Sequence, residues 1–472
     1  MDEIKPASPA KHSLLDRLKS LRHVWRDIAA SLGAVPKIAP ELPEEDAELL
    51  RAQMRDCLQG RGGEVSARAR AANLGRSYLG LNAEGRMKFL TIMAEEFGPD
   101  HHQVDAAMSE VSGAGSPGQR LAAMQKLRLA LESAQLRLLT QFNGLPDGVK
   151  FLVDLRAEML SFVEASPAIQ FLERDLRDLL AGWFDEGFLE MQRITWRSPA
   201  VVLEKIMAYE AVHAIQSWRD LKNRLDSDRR FYAFFHPRMP DEPLIFVEVA
   251  LVQGLAANVN ELLDEQAPVG DSAKADTAIF YSINNAQKGL AGISFGNFLI
   301  KRVVDSLSQE FPRLKTFATL SPIPGFRAWL DRHLREEEFS LLNSEEYRQI
   351  ISLPGGAAGL AGLLQTDWSH DNGVADSLKP ILLRLSARYL CEKREGGARV
   401  LDPVAHFHLT NGARMERLNW LADRSQKGLA QSAGLMINYL YNLSDIEANH
   451  EAYSGQGRVI TSSSIKSLLR QV

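Results

Sequence analysis

The sequence is poor in cysteine and has no apolar run long enough to cross a bilayer. Its two cysteines, Cys57 and Cys391, lie far apart and in no metal-ligand spacing. We therefore expect neither a disulfide framework nor a zinc site, and we expect a reducing compartment. The first residues lack the layout of a secretory signal, so the expected location is the cytoplasm, and we expect a bacterial host.

Several nucleotide-binding signatures are also missing. No Gly-Lys-Ser/Thr occurs, so ATP or GTP hydrolysis has no support, and the glycines miss the spacing of a dinucleotide-binding loop. The formal net charge of −5 gives no general reason to expect nucleic acid or an anionic membrane as a partner. Any phosphate site must therefore be local.

The chain divides into two parts that differ in residue pattern. Because 472 residues exceed one ordinary core, we expect two domains. Residues 1–182 show apolar residues at helical spacing, with short connections that predict an all-α helical bundle. The predicted helices include Glu41–Gln59, Gly85–Phe97, Gly118–Phe142 and Pro146–Val163. Residues 183–472 are richer in aromatic residues and predict a mixed core.

The second part predicts a sheet. Strands are expected at Phe231–Phe235, Leu244–Val252, Ala278–Ile283 and Leu314–Leu320, whereas residues 413–443 are expected to be helical. Glu248 interrupts the nearly continuous apolar strand Leu244–Val252. A carboxylate there must be paired or protonated, so it is either a site residue or the partner of an arginine.

The run from Asp276 to Phe326 predicts a site. Gly289, Gly292 and Gly296 follow a predicted strand and precede a helix, which suits close approach of a phosphate to backbone N–H groups. A second strand then leads to Ser321, whose backbone is stiffened by the prolines that follow it.

Two local patterns leave alternatives open. Gly292-Ile-Ser294-Phe-Gly296 matches the nucleophile elbow of serine hydrolases, and Asp402 and His408 follow in the right order. However, eight residues separate the elbow from the preceding strand, whereas that motif needs none. Gln287-Lys-Gly-Leu-Ala-Gly292 is similar to the coenzyme A pyrophosphate loop of GNAT acetyltransferases, although the glycine spacing departs from it.

The motifs taken together are more specific. In order, the chain contains Phe280-Tyr-Ser-Ile, Gln287-Lys-Gly-Leu-Ala-Gly, Leu320-Ser-Pro-Ile-Pro-Gly-Phe, Asp402-Pro-Val-Ala-His-Phe-His-Leu-Thr-Asn-Gly-Ala and Gly434-Leu-Met-Ile-Asn-Tyr. This set resembles the malonyl-CoA decarboxylase family, and the resemblance runs from about Glu84 to Tyr441.

The resemblance implies an α+β protein. Its helical domain, residues 1–182, would mediate self-association, with a tetramer favoured. Residues 183–472 would form a GNAT-like acyl-CoA-binding catalytic domain with a central mixed sheet. The implied reaction converts malonyl-CoA into acetyl-CoA and CO2, with no metal, biotin or other cofactor.

The resemblance also implies site residues. The catalytic serine, histidine and tyrosine fall on Ser321, His408 and Tyr441. Substrate contacts fall on Ser321, His408 and a loop made of Ala291, Gly292, Ile293, Ser294, Phe295, Gly296 and Asn297. Ser294 departs from animal members, which have glutamate there, and the ending Leu469-Arg-Gln-Val472 lacks their peroxisomal tripeptide.

In the resulting hypothesis, decarboxylation leaves a thioester enolate that His408 protonates as a general acid, its ordinary pKa being near neutrality. Ser321 either holds the malonyl carboxylate or relays the proton. The competing classes are a GNAT-type acyltransferase, a serine hydrolase based on Ser294, and an acyl-CoA sensor without catalysis. Lys288, Lys301 and Arg302 are candidates for the adenosine phosphates.

Overall fold

A computed structural model describes residues 14–30, 38–59, 63–164, 166–293 and 298–470. The chain forms two compact units. The first comprises Met1–Glu190, Phe235–Leu244 and Asn285–Ser294, and the second comprises Met191–Phe234, Ile245–Asn284 and Phe295–Val472. Within the described ranges, no helix has the length and apolar character needed to cross a membrane. The domain boundary at residue 182 stays a prediction.

The first unit is helical. Its helices are α1 (Leu14–Ala29), α2 (Glu44–Leu58), α3 (Glu64–Gly80), α4 (Ala83–Glu96), α5 (His101–Ser112), α6 (Pro117–Leu131), α7 (Ala134–Phe142), α8 (Gly148–Met159) and α9 (Pro167–Trp183). The predicted single helix Gly118–Phe142 is two helices, because Ser133 starts a new one by capping the Leu136 N–H.

Aromatic side chains form the centre of this unit. The Phe151 ring lies 5.0 Å from Trp25 and 5.8 Å from Tyr78, centroid to centroid, and Tyr78 lies 5.0 Å from Phe89. Trp25 is fully buried, and its indole N–H donates to the Pro146 carbonyl at 2.9 Å. Helix α1 is therefore packed into the core of this unit.

The second unit contains the strands. In chain order the elements are β1 (Glu190–Ile194), α10 (Ala200–Tyr209), α11 (Trp218–Arg224), β2 (Arg229–Phe235), β3 (Ile245–Val252), α12 (Val259–Leu262), β4 (Thr277–Asn285), α13 (Phe298–Glu310), β5 (Thr316–Thr319), β6 (Ser321–Pro322), α14 (Phe326–Leu341), α15 (Ser344–Ser352), α16 (Gly359–Leu363), α17 (Asn372–Cys391), α18 (Pro403–Thr410), β7 (Arg414–Asn419), α19 (Gln426–Ser432), β8 (Met436–Tyr441), α20 (Ile446–Gln456) and α21 (Ser463–Leu469).

The strands form one sheet in the order β1-β2-β3-β4-β5-β8-β6, and β7 also pairs with β8. β4 and β5 run parallel, whereas β8 is antiparallel to β5, β6 and β7. The four predicted strands are present. The predicted helix at 413–443 is wrong, since β7 and β8 lie there. Apart from Asn438, β8 is apolar, which fits a strand buried on both faces, but short apolar helices share this pattern.

The antiparallel ladder beside β8 has a gap. Phe317 pairs with Tyr441 and Ala318 with Leu440, and pairing resumes in the same register at Ser321 and Ile437. At the gap, the Leu320 N–H donates to the Phe280 carbonyl on the opposite neighbour, at 3.0 Å.

Side chains close this gap. The Tyr439 N–H donates to Thr319 Oγ1 at 3.1 Å, and the Asn438 side-chain amide donates to the Thr319 carbonyl at 2.7 Å. Because buried backbone groups need partners, Thr319 and Asn438 hold the sheet together where its backbone pairing stops.

Glu248 is paired, as one of the two interpretations expects. Its carboxylate is fully buried and lies 3.2 Å from the Arg224 guanidinium. That guanidinium also donates to Asp220 at 2.7 Å. Burial, together with the nearby Glu210, raises the pKa of Glu248. Glu248 thus belongs to a structural charge cluster between β3 and α11.

The turn that contains Gly289 packs directly on α8, in the first unit. Arg156 Nη1 donates to the Gly289 carbonyl at 2.6 Å. A Cβ atom at Gly289 would stand 1.7 Å from the Val153 carbonyl oxygen, a backbone atom that cannot rotate away. Gly289 is therefore required by packing.

We predict that Gly289→Ala lowers the midpoint of urea unfolding. The added methyl group must displace backbone, and overpacking of this kind costs about 1–3 kcal/mol. Gly118→Ala in α6 is the matched control, because no atom lies within 4 Å of its Cβ position. Equal midpoints for Gly289→Ala and the wild type would contradict this role of Gly289.

Candidate active site

Ser321 and His408 meet in the second unit. Ser321 Oγ lies 3.0 Å from His408 Nε2, although 87 residues separate them in sequence. Ser321 is 5% exposed and His408 is 3% exposed. Ser321 opens β6 immediately after the gap in the ladder, and His408 lies in the last turn of α18.

The start of α18 is fixed by Asp402. One of its carboxylate oxygens accepts the Ala405 N–H at 2.8 Å as an N-cap, and Pro403 takes the first helical position. The other oxygen accepts the Tyr389 hydroxyl at 3.0 Å. Asp402 is fully buried, so this pair anchors the helix that carries His408.

Tyr441 and Tyr439 hold the imidazole of His408 from β8. The Tyr441 hydroxyl lies 2.8 Å from His408 Nδ1. The Tyr439 ring stacks on the imidazole, with 4.4 Å between centroids and 25° between planes. Since residues i and i+2 of a strand share a face, both tyrosines of β8 reach the same histidine.

Thr319 sets the direction of the hydrogen bonds. Ser321 Oγ donates to Thr319 Oγ1 at 2.8 Å, so its own oxygen is left to accept from His408. His408 then carries its proton on Nε2, and its Nδ1 accepts from the Tyr441 hydroxyl. The result is a directed chain from Tyr441 through His408 and Ser321 to Thr319.

Burial keeps this imidazole neutral. It lowers the pKa of His408 from 6.5 to about 3, because charging the ring away from water is unfavourable. The near-neutral value quoted from the sequence is the ordinary pKa of histidine, and burial lowers the pKa of His408 below it. Burial also raises the pKa of Tyr441 well above its ordinary value, so the phenol keeps its proton as a donor.

The structure brings Ser321, His408 and Tyr441 together. Thr319 and Tyr439 were missed by the sequence reasoning. Thr319 precedes Ser321 by two positions in an extended run, and that spacing could have indicated a shared face.

The predicted substrate loop is described only in part. Ala291, Gly292 and Ile293 are described, whereas Ser294, Phe295, Gly296 and Asn297 lie outside the described residues. Gly292 has φ +75°, and among the described residues no atom lies within 4 Å of its Cβ position. The described residues thus leave space beside Gly292, whereas they fill the space beside Gly289.

His406 and Asp402 do not share the environment of His408. Because the segment is helical, His406 faces a different side of α18 from His408, about 200° around the axis. Both ring nitrogens of His408 are occupied by Ser321 and Tyr441, so Asp402 does not orient this imidazole. The serine-hydrolase arrangement of Asp402 with His408 is absent.

Throughout the described part of the chain, no group of three or more His, Cys, Asp or Glu side chains is arranged to hold a metal ion.

Two family models match most of the chain. The model of the malonyl-CoA decarboxylase C-terminal domain matches residues 187–472, and that of the N-terminal domain matches residues 97–184. The chain is also 37% identical to the mitochondrial malonyl-CoA decarboxylase of Rattus norvegicus over 456 residues, covering 92% of this chain and 89% of that protein. The mitochondrial enzyme of Mus musculus is 38% identical over 459 residues, with the same coverage.

Solved structures agree with these matches. Malonyl-CoA decarboxylase from Rhodopseudomonas palustris superposes with a TM-score of 0.82 at 43% identity, covering 89% of this chain and 99% of that chain. The enzyme from Agrobacterium vitis superposes with a TM-score of 0.80 at 41% identity and the same coverage.

We predict that His408 stays unprotonated in the folded protein between pH 8 and 5, as measured by NMR of its labelled ring. In urea the same ring should titrate near 6.5, its ordinary value. The pKa of His408 is lower in the folded protein than in the unfolded chain, so the unfolded chain binds a proton first as the pH falls. The contribution of His408 to the free energy of unfolding is therefore complete above about pH 6.5 and is lost as the pH falls towards 3. A folded-state midpoint near 6.5 would refute the neutral imidazole.

Proposed function

The chain belongs to the malonyl-CoA decarboxylase family, and on this basis we propose that Ser321, His408 and Tyr441 convert malonyl-CoA into acetyl-CoA and CO2. The single observation that carries the proposal is the buried, neutral imidazole of His408 held between the hydroxyls of Ser321 and Tyr441. This arrangement suits a reaction that needs one proton delivered to carbon and no covalent intermediate.

The end of the parallel pairing between β4 and β5 supports a GNAT-like acyl-CoA site. Their parallel pairing covers Thr277–Phe280 and Thr316–Thr319, after which β4 continues to Asn285 while the other strand turns towards Ser321. Where parallel strands separate, backbone N–H and C=O groups can bind an extended, amide-containing ligand such as the pantetheine arm. Such a ligand would run towards Ser321.

The chemistry begins with loss of CO2. The C–C bond between C2 and the carboxylate breaks, its electron pair becomes the thioester enolate, and the carboxylate leaves as neutral CO2. A water-poor site favours this step, because a desolvated carboxylate gains by becoming neutral. Ser321 and His408 are almost completely buried, which provides such an environment.

Protonation of C2 completes the reaction. His408 delivers its Nε2 proton, directly or through the Ser321 hydroxyl, while Nδ1 takes the proton of Tyr441. The ring changes tautomer and never carries a positive charge, which agrees with its lowered pKa of about 3. Burial disfavours the phenolate left on Tyr441, so the strong basicity of the thioester enolate must drive this transfer. Tyr441 then regains a proton from solvent, so the overall reaction consumes one proton.

The segment Ala291–Asn297 is proposed to contact the substrate. The positive φ of Gly292 and the open space beside it would allow a thioester oxygen to approach backbone N–H groups. One well-placed donor stabilises a developing oxyanion by roughly 3–4 kcal/mol.

Self-association through the helical unit is also proposed. Helices α5 and α6 expose large apolar side chains that a lone domain would be expected to cover. They are Met108, Leu121, Met124, Leu129 and Leu131, each at least 53% exposed. An exposed apolar surface of this kind is typical of a protein–protein contact.

We predict that Ser321→Ala and His408→Gln each lower the rate of acetyl-CoA formation from malonyl-CoA by at least about 100-fold, a typical contribution of positioned proton transfer. The assay contains no acyl acceptor, so product formation also excludes an acyltransferase. Ser386→Ala is the control, because this buried serine has no hydrogen-bond partner in the described structure. Calorimetric binding of acetyl-CoA should survive in both variants. Full activity in both would refute the mechanism.

We predict that Thr319→Val lowers kcat roughly 10-fold or more and leaves KM nearly unchanged. The substitution keeps the shape but removes the acceptor for Ser321 and for the Tyr439 N–H, and an unpaired buried donor costs about 1–3 kcal/mol. Thr319→Ser keeps the hydroxyl and should restore kcat. If the serine variant were as slow as the valine variant, shape rather than hydrogen bonding would explain the defect.

A further inference from the structure

Helix α18 has a second polar side, which faces a cavity of about 490 Å³ in the second unit. The lining includes Arg394, Glu395, Arg399, His406 and Tyr453. This volume lies within the range of small-molecule sites, about 300–1,000 Å³. None of these residues takes part in the proposed decarboxylation.

The two arginines of this cavity, Arg394 and Arg399, bring positive charge to its wall. Among the described residues, no carboxylate or carbonyl partner is found for the side chain of Arg394 or Arg399. Their charges nevertheless reach the cavity wall. Burial is the main cause that lowers the pKa of His406, and the charges of Arg399 and Arg394 lower it further. Burial raises the pKa of Tyr453, whereas the charges of the same two arginines lower it.

His406 presents a third donor to the same space. The Tyr453 hydroxyl accepts the Val400 N–H at 3.0 Å, which leaves its own proton for His406 Nδ1 at 2.9 Å. With Nδ1 accepting and the ring neutral, the imidazole proton lies on Nε2. No protein acceptor for this Nε2–H is found within the described ranges.

We propose that this cavity binds a phosphate monoester through Arg394, Arg399 and His406. Guanidinium groups match the geometry of phosphate oxygens with paired N–H donors, and a neutral imidazole adds one more donor. Glu395, also in the wall, is an acceptor suited to a hydroxyl or amino group of the same ligand. The two guanidiniums outnumber this single carboxylate, so the site keeps a net attraction for anions.

The phosphate has two possible sources. One is the 3′-phosphate of the coenzyme A substrate, a reading that rests on the proposed function. The other is a separate phosphorylated metabolite, whose binding would act on the helix that carries His408 on its other side. The chemistry of recognition is the same in both cases, so the experiment must separate them.

The test is calorimetric titration of the full-length protein with adenosine 3′,5′-bisphosphate and, separately, with inorganic phosphate. We expect the double variant R394Q/R399Q to weaken bisphosphate binding at least about 10-fold, the loss of about 1.4 kcal/mol. The charge-matched control R348Q/K379Q, which removes two exposed cations elsewhere, should bind as the wild type does. R394K/R399K keeps the charge but loses the paired donors and should fall between them.

Substrate analogues then identify the source. If the phosphate belongs to coenzyme A, the bisphosphate competes with malonyl-CoA, and the KM advantage of malonyl-CoA over its 3′-dephospho analogue disappears in R394Q/R399Q. If the ligand is a separate metabolite, binding is not competitive and that advantage persists. Equal bisphosphate affinity in R394Q/R399Q and in the charge-matched control would overturn the proposal. The rate of acetyl-CoA formation tests the proposed function separately, so the two can fail independently.

Discussion

The local loss of backbone pairing at Thr319 is the constraint on which the site depends. Between Ala318 and Ser321 the chain leaves β8, and Leu320 turns its N–H to the opposite neighbour, Phe280. The Thr319 side chain then accepts both the Tyr439 N–H and the Ser321 hydroxyl. One oxygen atom therefore closes the sheet and directs the serine, which couples the integrity of the fold to the direction of the hydrogen-bond chain.

Burial of the site keeps His408 uncharged. An imidazole this deeply buried, with no carboxylate partner, is held neutral at physiological pH by the cost of desolvation. Its two nitrogens therefore have different roles, one donating to Ser321 and one accepting from Tyr441. In the proposed mechanism the neutral ring passes a proton by changing tautomer, which would suit decarboxylation because no leaving amine or alcohol has to be protonated and no acyl-enzyme has to be resolved.

The glycines of the loop after β4, Gly289 and Gly292, have different structural roles. Gly289 is needed because α8 leaves no room for a Cβ atom, whereas Gly292 has open space and a left-handed backbone. The same distinction separates the two histidines of α18. His408 contacts the serine and two tyrosines, while His406 lies on the other side with Tyr453 and an arginine-lined cavity. Closeness in sequence does not distinguish Gly289 from Gly292 or His406 from His408.

Local periodicity predicted the helical first part and the four strands with strong apolar or β-branched runs. The family resemblance, carried by the order of motifs along the chain, indicated Ser321, His408 and Tyr441 as site candidates. The cost of a buried charge limited Glu248 to two interpretations, a site residue or the partner of an arginine, and its contact with Arg224 bears out the second. The strands β7 and β8 became evident only from their pairing in the sheet, since the short apolar run of β8 fits a buried helix as well as a central strand. The tertiary structure alone placed Thr319 in the hydrogen-bond chain and lowered the pKa of His408, because both depend on contacts with β8 and on desolvation, which arise only when distant segments pack together.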